Sequence, residues 1–389
     1  MRINKLYLFA ATAMVLASCS SSDELGSPTS SKKAITFESP FVSKTSRATG
    51  DLSTGNINGT SIKVWGDQYA KNATGSAITS ANVFSNEPAT LRYDGSAWKC
   101  DRLAFWESDK SYDFTAVAPA TLQSVSFGEA NAESFTLADR KLTISDIPVV
   151  QVINNGSDAQ AKSGDDILVA CANKQTEASK TVQLSFKHIL SRFNIYIYSS
   201  DVENPTDADN VTVTDLAIYM PTANAKAIYE QAAHGAVNPG SDLWSWNGFT
   251  NVENAENVEA LSENYQKFEV INKETRLVYA ASPSDAVQKK ETLASPEFFI
   301  APTKKITDAT TADLQLYLAV TYVSHKTGWD TRTKTLFVPI QDLHSFKQGC
   351  QTNLFINLHM YQFSPQPLDF GSMTLDDWST PNDGQFDVK

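Results

Sequence analysis

Apolar residues recur at every second position in much of this chain, in short runs separated by Gly, Asn, Asp and Ser. The clearest runs lie at residues 182–186, 314–323 and 354–361. Such alternation turns one face of a β-strand toward a core and the other toward solvent. At residues 211–220 the alternation slips by one position, which predicts a β-bulge. Because long helical periodicity is nearly absent, the pattern predicts an all-β protein built from sandwiches.

Residues 91–98 predict a hairpin between two short strands. The dipeptide Asp94-Gly95 at its centre accommodates the positive φ angles of a two-residue type I′ turn. A tight turn of this kind is the usual link between neighbouring antiparallel strands.

The N-terminus predicts export and lipid anchoring. Arg2 and Lys5 precede an apolar run, Leu6–Ala17, which is too short to span a bilayer and suits a signal peptide. The run ends in Leu16-Ala17-Ser18-Cys19, which resembles the bacterial lipobox. We therefore expect residues 1–18 to be removed and Cys19 to carry the lipid that holds the protein at the outer membrane.

Polar stretches predict how the mature chain is divided. Residues 19–33 are Ser-rich and polar and predict a tether. The stretch 173–180 separates two parts that are each large enough for a sandwich. We place the N-terminal β-sandwich at residues 34–178 and the C-terminal β-sandwich at residues 179–389.

Composition narrows the class of partner. The 389 residues carry a formal net charge of −12, which argues against nucleic acid and against charge-driven binding to anionic membranes. Besides Cys19 the chain has Cys100, Cys171 and Cys350, an odd number that cannot all pair within one chain. Packing of these three as small apolar side chains is favoured, with a Cys100–Cys171 bridge as the alternative.

Sequence motifs of catalysis or metal binding are missing. The five histidines are scattered without metal-ligand spacing, and the chain has no nucleophile elbow, P-loop or dinucleotide fingerprint. His188 follows a strand and is interpreted as a packed or capping residue. We therefore expect no enzyme activity, no catalytic residue, no metal and no cofactor. The alternative is an enzyme on a β scaffold, which a pocket of clustered carboxylates or histidines would support.

Several segments, in this order, resemble the fimbrillin-like (Mfa-like) proteins of Bacteroidetes, the subunits of type V pili. The matching segments are Ala34-Ile35-Thr36-Phe37, Lys44 to Thr49, Leu103 to Trp106, Tyr112 to Pro119, Asp166 to Ala170, Val182 to Phe193, Phe346 to Cys350 and Phe370 to Trp378. Together they cover nearly the whole mature chain. Gln348-Gly349-Cys350 departs from the family, which often has Tyr after this turn.

The resemblance implies a fold and a route to the cell surface. Family members have two tandem transthyretin-like β-sandwich domains and travel as lipoproteins to the outer membrane and the fimbrium. A trypsin-like protease cuts them after an arginine behind the first strand, and Arg47 matches that position. The implied partners are this maturation protease and other pilus subunits, with a host glycan or protein as an adhesion ligand.

An assembly mechanism follows from this cleavage. Loss of the first strand, with Ile35, Phe37 and Phe41, would leave an unpaired edge beside an apolar groove that another subunit fills by strand addition. The donor is either Leu368–Leu375 or Gln385–Val388.

Two other functions stay open at this point. The chain could be a surface lipoprotein that binds glycans, with Trp244 and Trp246 as an aromatic platform. It could also be a pilus anchor that does not polymerise.

Overall fold

The structure analysed is a computed structural model of the protein. It describes residues 32–42, 54, 57–73, 79–84, 87–128, 135–136, 141–153, 163–164, 166–230, 244–247, 255–261, 263–302, 314–340, 348–360 and 376–377. The described residues are nearly all in strands and their connections, so the prediction of an all-β fold is confirmed. Their α-helical part is one short helix, α1 (Pro283–Gln288).

The strands are numbered in chain order. The first thirteen are β1 (Thr36–Phe37), β2 (Phe41–Val42), β3 (Ile62–Ala70), β4 (Thr79–Asn82), β5 (Ala89–Tyr93), β6 (Trp98–Cys100), β7 (Lys110–Ala118), β8 (Val125–Phe127), β9 (Phe135–Thr136), β10 (Lys141–Ile147), β11 (Val150–Ile153), β12 (Ser163–Gly164) and β13 (Leu168–Gln175). The others are β14 (Thr181–Val182), β15 (Ser185–His188), β16 (Ser191–Tyr198), β17 (Asn210–Pro221), β18 (Ala225–Glu230), β19 (Trp244–Asn247), β20 (Tyr265–Ile271), β21 (Thr275–Arg276), β22 (Leu293–Ile300), β23 (Tyr317–His325), β24 (Arg332–Pro339), β25 (Cys350–Asn357) and β26 (Asp376–Asp377).

A nine-stranded sheet organises the N-terminal half of the molecule. Its main path runs β2-β15-β13-β7-β3-β4-β9, and β5 and β6 extend from β3. The four-stranded sheet β19-β18-β10-β8 packs against one face, where Trp65 of β3 meets Phe127 of β8 at 5.7 Å between ring centroids. Because both sheets turn apolar side chains inward, they form a sandwich.

A second pair of sheets packs in the same way. The six-stranded sheet has the order β12-β11-β22-β16-β25-β26, and the five-stranded sheet runs β20-β17-β23-β24 with β21 on β17. Phe268 of β20 contacts Phe298 of β22 edge-on, with 5.2 Å between centroids. Apolar residues of both sandwiches form one continuous core cluster.

Strands cross the boundary expected at residue 178. β18 follows that residue but pairs with β10, and β19 extends the same sheet by pairing with β18. Conversely, β11 and β12 precede that residue but join the sheet of β22. The division into residues 34–178 and 179–389 stays a prediction. The strand pairing shows that two units divided at this residue would each contribute strands to a sheet of the other.

Two local predictions can be compared with the strands. The slip at residues 211–220 is confirmed, because β17 shifts register between Val213 and Asp215 opposite β23. The hairpin at 91–98 is also confirmed, since Tyr93 pairs with Trp98. Its two-residue turn is wrong: the loop has four residues, and the Asp94 carboxylate accepts hydrogen bonds from the N–H groups of Ser96 and Ala97. This side-chain capping stabilises the longer loop.

Candidate functional site

The opening segment, defined here as residues 34–42, contains two short strands: β1 forms a two-stranded sheet with β14, and β2 is the terminal strand of the nine-stranded sheet. Ile35, Phe37, Pro40 and Val42 are buried, and Phe41 is 47% exposed. The inward positions therefore have the spacing i, i+2, i+5 and i+7. Glu38 and Ser39, which lie outside between the two buried pairs, shift the alternation by one residue, so Phe41 of the expected first strand faces solvent.

Backbone hydrogen bonds hold the opening segment on both sides. On one side β1 and β2 pair in parallel with β14 and β15. The N–H groups of Glu38 and Phe41 donate to the carbonyls of Val182 and Leu184, each at 3.0 Å. This side provides the register of the segment.

The residues that precede β7 form the second side. The N–H of Ile35 donates to the carbonyl of Ala104, and the N–H of Trp106 donates to the carbonyl of Lys33, both at 2.9 Å. Ala104 and Trp106 are buried beside the segment, whereas Leu103 and Phe105 point outward. The opening segment thus lies in a slot: residues 182–186 bond to its backbone on one side, and residues 104–106 bond to it on the other.

Aromatic side chains form the floor of this slot. The Phe37 ring meets the Phe114 ring edge-on at 5.5 Å between centroids, and Trp106 packs edge-on against Tyr112 at 4.9 Å. The Tyr112 hydroxyl accepts a hydrogen bond from the Glu107 N–H at 2.9 Å. Burial raises the pKa of Tyr112, so its neutral form is favoured in this apolar surrounding.

The C-terminal end of the opening segment is hydrogen-bonded to Thr54, the next described residue along the chain. The Val42 N–H donates to the Thr54 hydroxyl at 3.0 Å, and that hydroxyl donates to the Val42 carbonyl at 3.1 Å. Arg47, the expected cleavage position, and Cys19, the expected lipid site, lie outside the described residues.

A buried polar pair stands where β15 ends. His188 Nδ1 lies 2.8 Å from one Asp166 carboxylate oxygen and 2.9 Å from the other, and both side chains are almost fully buried. Immediately after them the Ile189 N–H donates to the Ile167 carbonyl at 3.1 Å. The pair thus joins the start of β13 to the end of β15, the strand that holds β2.

The aromatic platform expected at Trp244 and Trp246 is not exposed at Trp246. Its side chain is 3% exposed and packs in the main core cluster, because β19 closes the four-stranded sheet through β18. The backbone of Trp244 pairs with Tyr229 of β18, and the Trp244 side chain lies outside the described part of the structure.

The three described cysteines are free thiols. Cys171 is buried between the nine-stranded and four-stranded sheets, where burial raises the pKa of its thiol to about 11. Burial also raises the pKa of the neighbouring Tyr229. Both groups are therefore held in their neutral forms.

The described ranges show neither a metal-binding cluster nor a membrane-spanning helix. There, no group of three or more His, Cys, Asp or Glu side chains is placed to hold a metal ion. Among the helices of the same ranges, none has the length and apolar character needed to cross a bilayer.

Sequence reasoning missed two parts of the slot. It did not place Pro40 inward, because strict alternation from Ile35 and Phe37 assigns the inward face to other positions. It also did not place Ala104 and Trp106 beside the opening segment, although both belong to a continuous apolar run at 103–106. The apolar run at 103–106 indicates that some of these residues are buried, but it does not indicate which segment they pack against.

Comparison with known proteins gives a family match. The family model for fimbrillin-like proteins matches residues 46–378. Among curated proteins, none is similar enough to the chain to count as a match.

Solved structures of similar proteins include three from Bacteroides species. A fimbrial protein from Bacteroides vulgatus is 18% identical, covers 88% of this chain and 99% of its own, and gives a TM-score of 0.49. A provisionally assigned cell adhesion protein from Bacteroides uniformis is 14% identical over 89% of this chain and 99% of its own, with a TM-score of 0.41. Another from Bacteroides eggerthii is 12% identical over 88% of this chain and 94% of its own, with a TM-score of 0.42.

Proposed function

The chain belongs to the fimbrillin-like family, and from this membership we propose that it is a structural or adhesive subunit of a type V-like pilus. In this proposal it is exported as an outer-membrane lipoprotein through Cys19 and assembles with other subunits by proteolysis-triggered strand exchange. Its role is mechanical rather than enzymatic. One observation carries the proposal: the opening segment fills a slot in the body of the protein, and its strand β2 is the terminal strand of the nine-stranded sheet.

The energetics favour refilling this slot once it is emptied. Fully burying an Ile, Phe or Val side chain contributes about 1.5–3 kcal/mol. Ile35, Phe37 and Val42 together therefore contribute roughly 5–9 kcal/mol, which approaches the whole stability of a typical domain. An emptied slot would expose the floor around Phe114 to water, so a replacement strand is strongly favoured.

The position of the segment makes such an exchange topologically simple. β2 is the terminal strand of its sheet, so its departure breaks pairing with β15 and leaves the order β15-β13-β7-β3 intact. It would free the carbonyls of Val182 and Leu184, which accept from the segment. Free acceptors beside an apolar groove are what an added strand requires.

Cleavage after Arg47 supplies the release step. The cut would fall between Val42 and Thr54, so the opening segment would keep its hydrogen bonds but lose its covalent link to the body. The lipid on Cys19 would remain on the discarded piece. Detachment from the membrane and opening of the slot would then be coupled.

The sequence of the donor can be compared with the burial of the opening segment. The buried positions are Ile35, Phe37, Pro40 and Val42. In the candidate donor Leu368–Leu375, the apolar residues Leu368, Phe370, Met373 and Leu375 repeat that spacing. Phe and Ser also recur at the third and fifth positions of both octapeptides. Gln385–Val388 is too short to supply the pattern, so the first candidate is favoured.

N-terminal sequencing of the protein from purified surface fibres tests the proposal. The wild type is expected to begin at Ala48, and Arg47→Ala is expected to remain lipidated and absent from fibres. Arg92→Ala, which removes an exposed arginine within β5, is the matched control and should assemble normally. Fibres whose subunits still begin at Cys19 would contradict the proposal.

The donor assignment has its own test in the same fibres. Phe370→Asp should permit cleavage after Arg47 but stop elongation, because a charged side chain cannot enter the Phe37 position. Phe386→Asp is the control in the alternative donor and should leave elongation unchanged. The reverse result would assign the donor to residues 385–388.

A further inference from the structure

Trp329 is an exposed aromatic side chain that assembly through the opening segment does not explain. Four large apolar side chains are exposed in the described part of the chain: Phe41, Leu103, Phe105 and Trp329. The first belongs to the opening segment, and the next two belong to the run that pairs with it. Trp329 is 63% exposed and lies on another sheet, in the turn between β23 and β24.

The turn that carries Trp329 is well ordered by hydrogen bonds. The Trp329 N–H donates to the Lys326 carbonyl at 3.0 Å, and Gly328 adopts the positive φ of 82° that this tight turn requires. The N–H and hydroxyl of Thr327 donate to the two carboxylate oxygens of Asp209 at 2.9 and 2.8 Å. These bonds fix the turn to the loop before β17, so the indole is presented at low conformational cost.

Charged residues of both signs lie in or next to the turn that carries Trp329. The Lys326 ammonium lies 5.6 Å from the ring centroid in a cation–π contact. Asp330 and Arg332 are exposed directly beyond the turn, and His325 is hydrogen-bonded to the Thr331 hydroxyl at 3.1 Å. The surface thus combines one flat apolar face with hydrogen-bond donors and acceptors around it.

We propose that Trp329 and the polar side chains beside it form a binding site for a neutral hexopyranose of an oligosaccharide. The C–H face of the sugar would stack on the indole, and its hydroxyls would bond to the rim that contains Lys326, Asp330 and Arg332. The rim carries both charges, which favours a neutral sugar over an acidic one.

A protein partner fits this surface less well. The centre of a protein–protein interface is an extended apolar patch within about 800 Å² buried on each partner. Around Trp329 the other described side chains of the turn are polar, and the ring is a single apolar island. A sugar needs only one such face.

Glycan binding by the full mature chain tests the inference. An array of neutral, sialylated and sulfated oligosaccharides identifies the preferred probe, and that oligosaccharide is then titrated by calorimetry. Trp329→Ala should weaken binding by about tenfold or more, as expected for loss of a central aromatic contact. Trp329→Phe should retain most of the affinity because it keeps a stacking face.

Leu103→Ala is the matched control, since it removes a side chain that is 75% exposed beside the opening segment. It should bind the oligosaccharide like the wild type, and the thermal midpoint of each variant should stay unchanged. Trp329→Ala should still assemble into fibres, which separates this site from pilus assembly. Absence of glycan binding, a preference for acidic glycans, or full affinity in Trp329→Ala would each overturn the inference.

Discussion

The contact between His188 and Asp166 shows how one buried pair can support an exchangeable edge. The side chains of His188 and Asp166 are 3% and 0% exposed, and they link the start of β13 to the end of β15. β15 must keep its position after the opening segment leaves, because its edge is the template for the incoming strand. A hydrogen-bonded pair fixes that position more specifically than apolar packing, which tolerates sliding.

Asp166→Ala is therefore expected to lower the free energy of unfolding by about 2–4 kcal/mol, between the cost of an unsatisfied buried group and that of a broken buried charge pair. Urea denaturation followed by circular dichroism measures this change. Lys99→Ala is the control, because the Lys99–Asp94 pair is largely exposed and should leave stability nearly unchanged. A loss for Asp166→Ala no larger than that for Lys99→Ala would refute the positioning role of the His188–Asp166 pair.

Cys171 illustrates how burial controls reactivity. Its thiol pKa is raised to about 11, chiefly by desolvation, so little thiolate exists at neutral or mildly alkaline pH. In the native protein at pH 8, iodoacetamide should leave Cys171 unmodified but should alkylate it fully in urea. Peptide mass spectrometry with partly exposed Cys350 as the internal reference checks this expectation. Native labelling of Cys171 at the rate of Cys350 would mean that the two sheets separate readily.

The opening segment contains two phenylalanines, one packed against the body of the protein and one exposed to solvent. Phe37 is 8% exposed and contacts Phe114, whereas Phe41 is 47% exposed four residues later. Both are phenylalanines of the same segment. Comparing their alanine variants therefore separates the effect of packing on the slot floor from the effect of an exposed ring.

Phe37→Ala should destabilise the packed segment by about 3–5 kcal/mol, the range for a buried Phe reduced to Ala. Phe41→Ala should cost only about 1–1.5 kcal/mol, because about half of the Phe41 surface is already exposed to water. Hydrogen exchange at the amides of Glu38 and Phe41, which bond to the carbonyls of Val182 and Leu184, reports opening of this edge. Equal exchange in both variants would show that Phe37 does not hold the segment in place.

At the level of the whole molecule, the nine-stranded sheet is covered on both faces. Trp65, Val117 and Val169 belong to the main core cluster, and their neighbours Val64 and Ala116 belong to the second cluster, with the opening segment. Adjacent residues of one strand therefore contribute to two different cores, as the alternation of side chains requires. This arrangement couples the slot to the rest of the protein.

A fragment of residues 34–178 should consequently fail to fold cooperatively. It would lack β14 and β15, which pair with the opening segment, and β18, which pairs with β10. Its urea transition should be broad, and trypsin should digest it rapidly, whereas the mature full chain expressed in the same way stays resistant. A sharp transition and protease resistance in the fragment would instead support two separable sandwiches divided at residue 178.

Local sequence pattern predicted the features that depend on neighbouring residues. The all-β class, the slip in β17 and the hairpin at 91–98 follow from side-chain alternation and turn chemistry. The runs 314–323 and 354–361 likewise overlap strands, although β23 begins at Tyr317 and β25 ends at Asn357. Family motifs were readable for the same reason, since each is a short contiguous segment, and the family resemblance is confirmed.

Partner choice between distant strands could not be read in this way, because alternation says which face of a strand is apolar but not which strand covers it. The parallel pairing of the opening segment with β14 and β15 and the crossing of strands at residue 178 both depend on contacts far apart in sequence. The same holds for the tryptophans. Trp246 is buried because β19 is packed into the main core, and Trp329 is exposed because its turn projects beyond the sheet, although both are equally apolar.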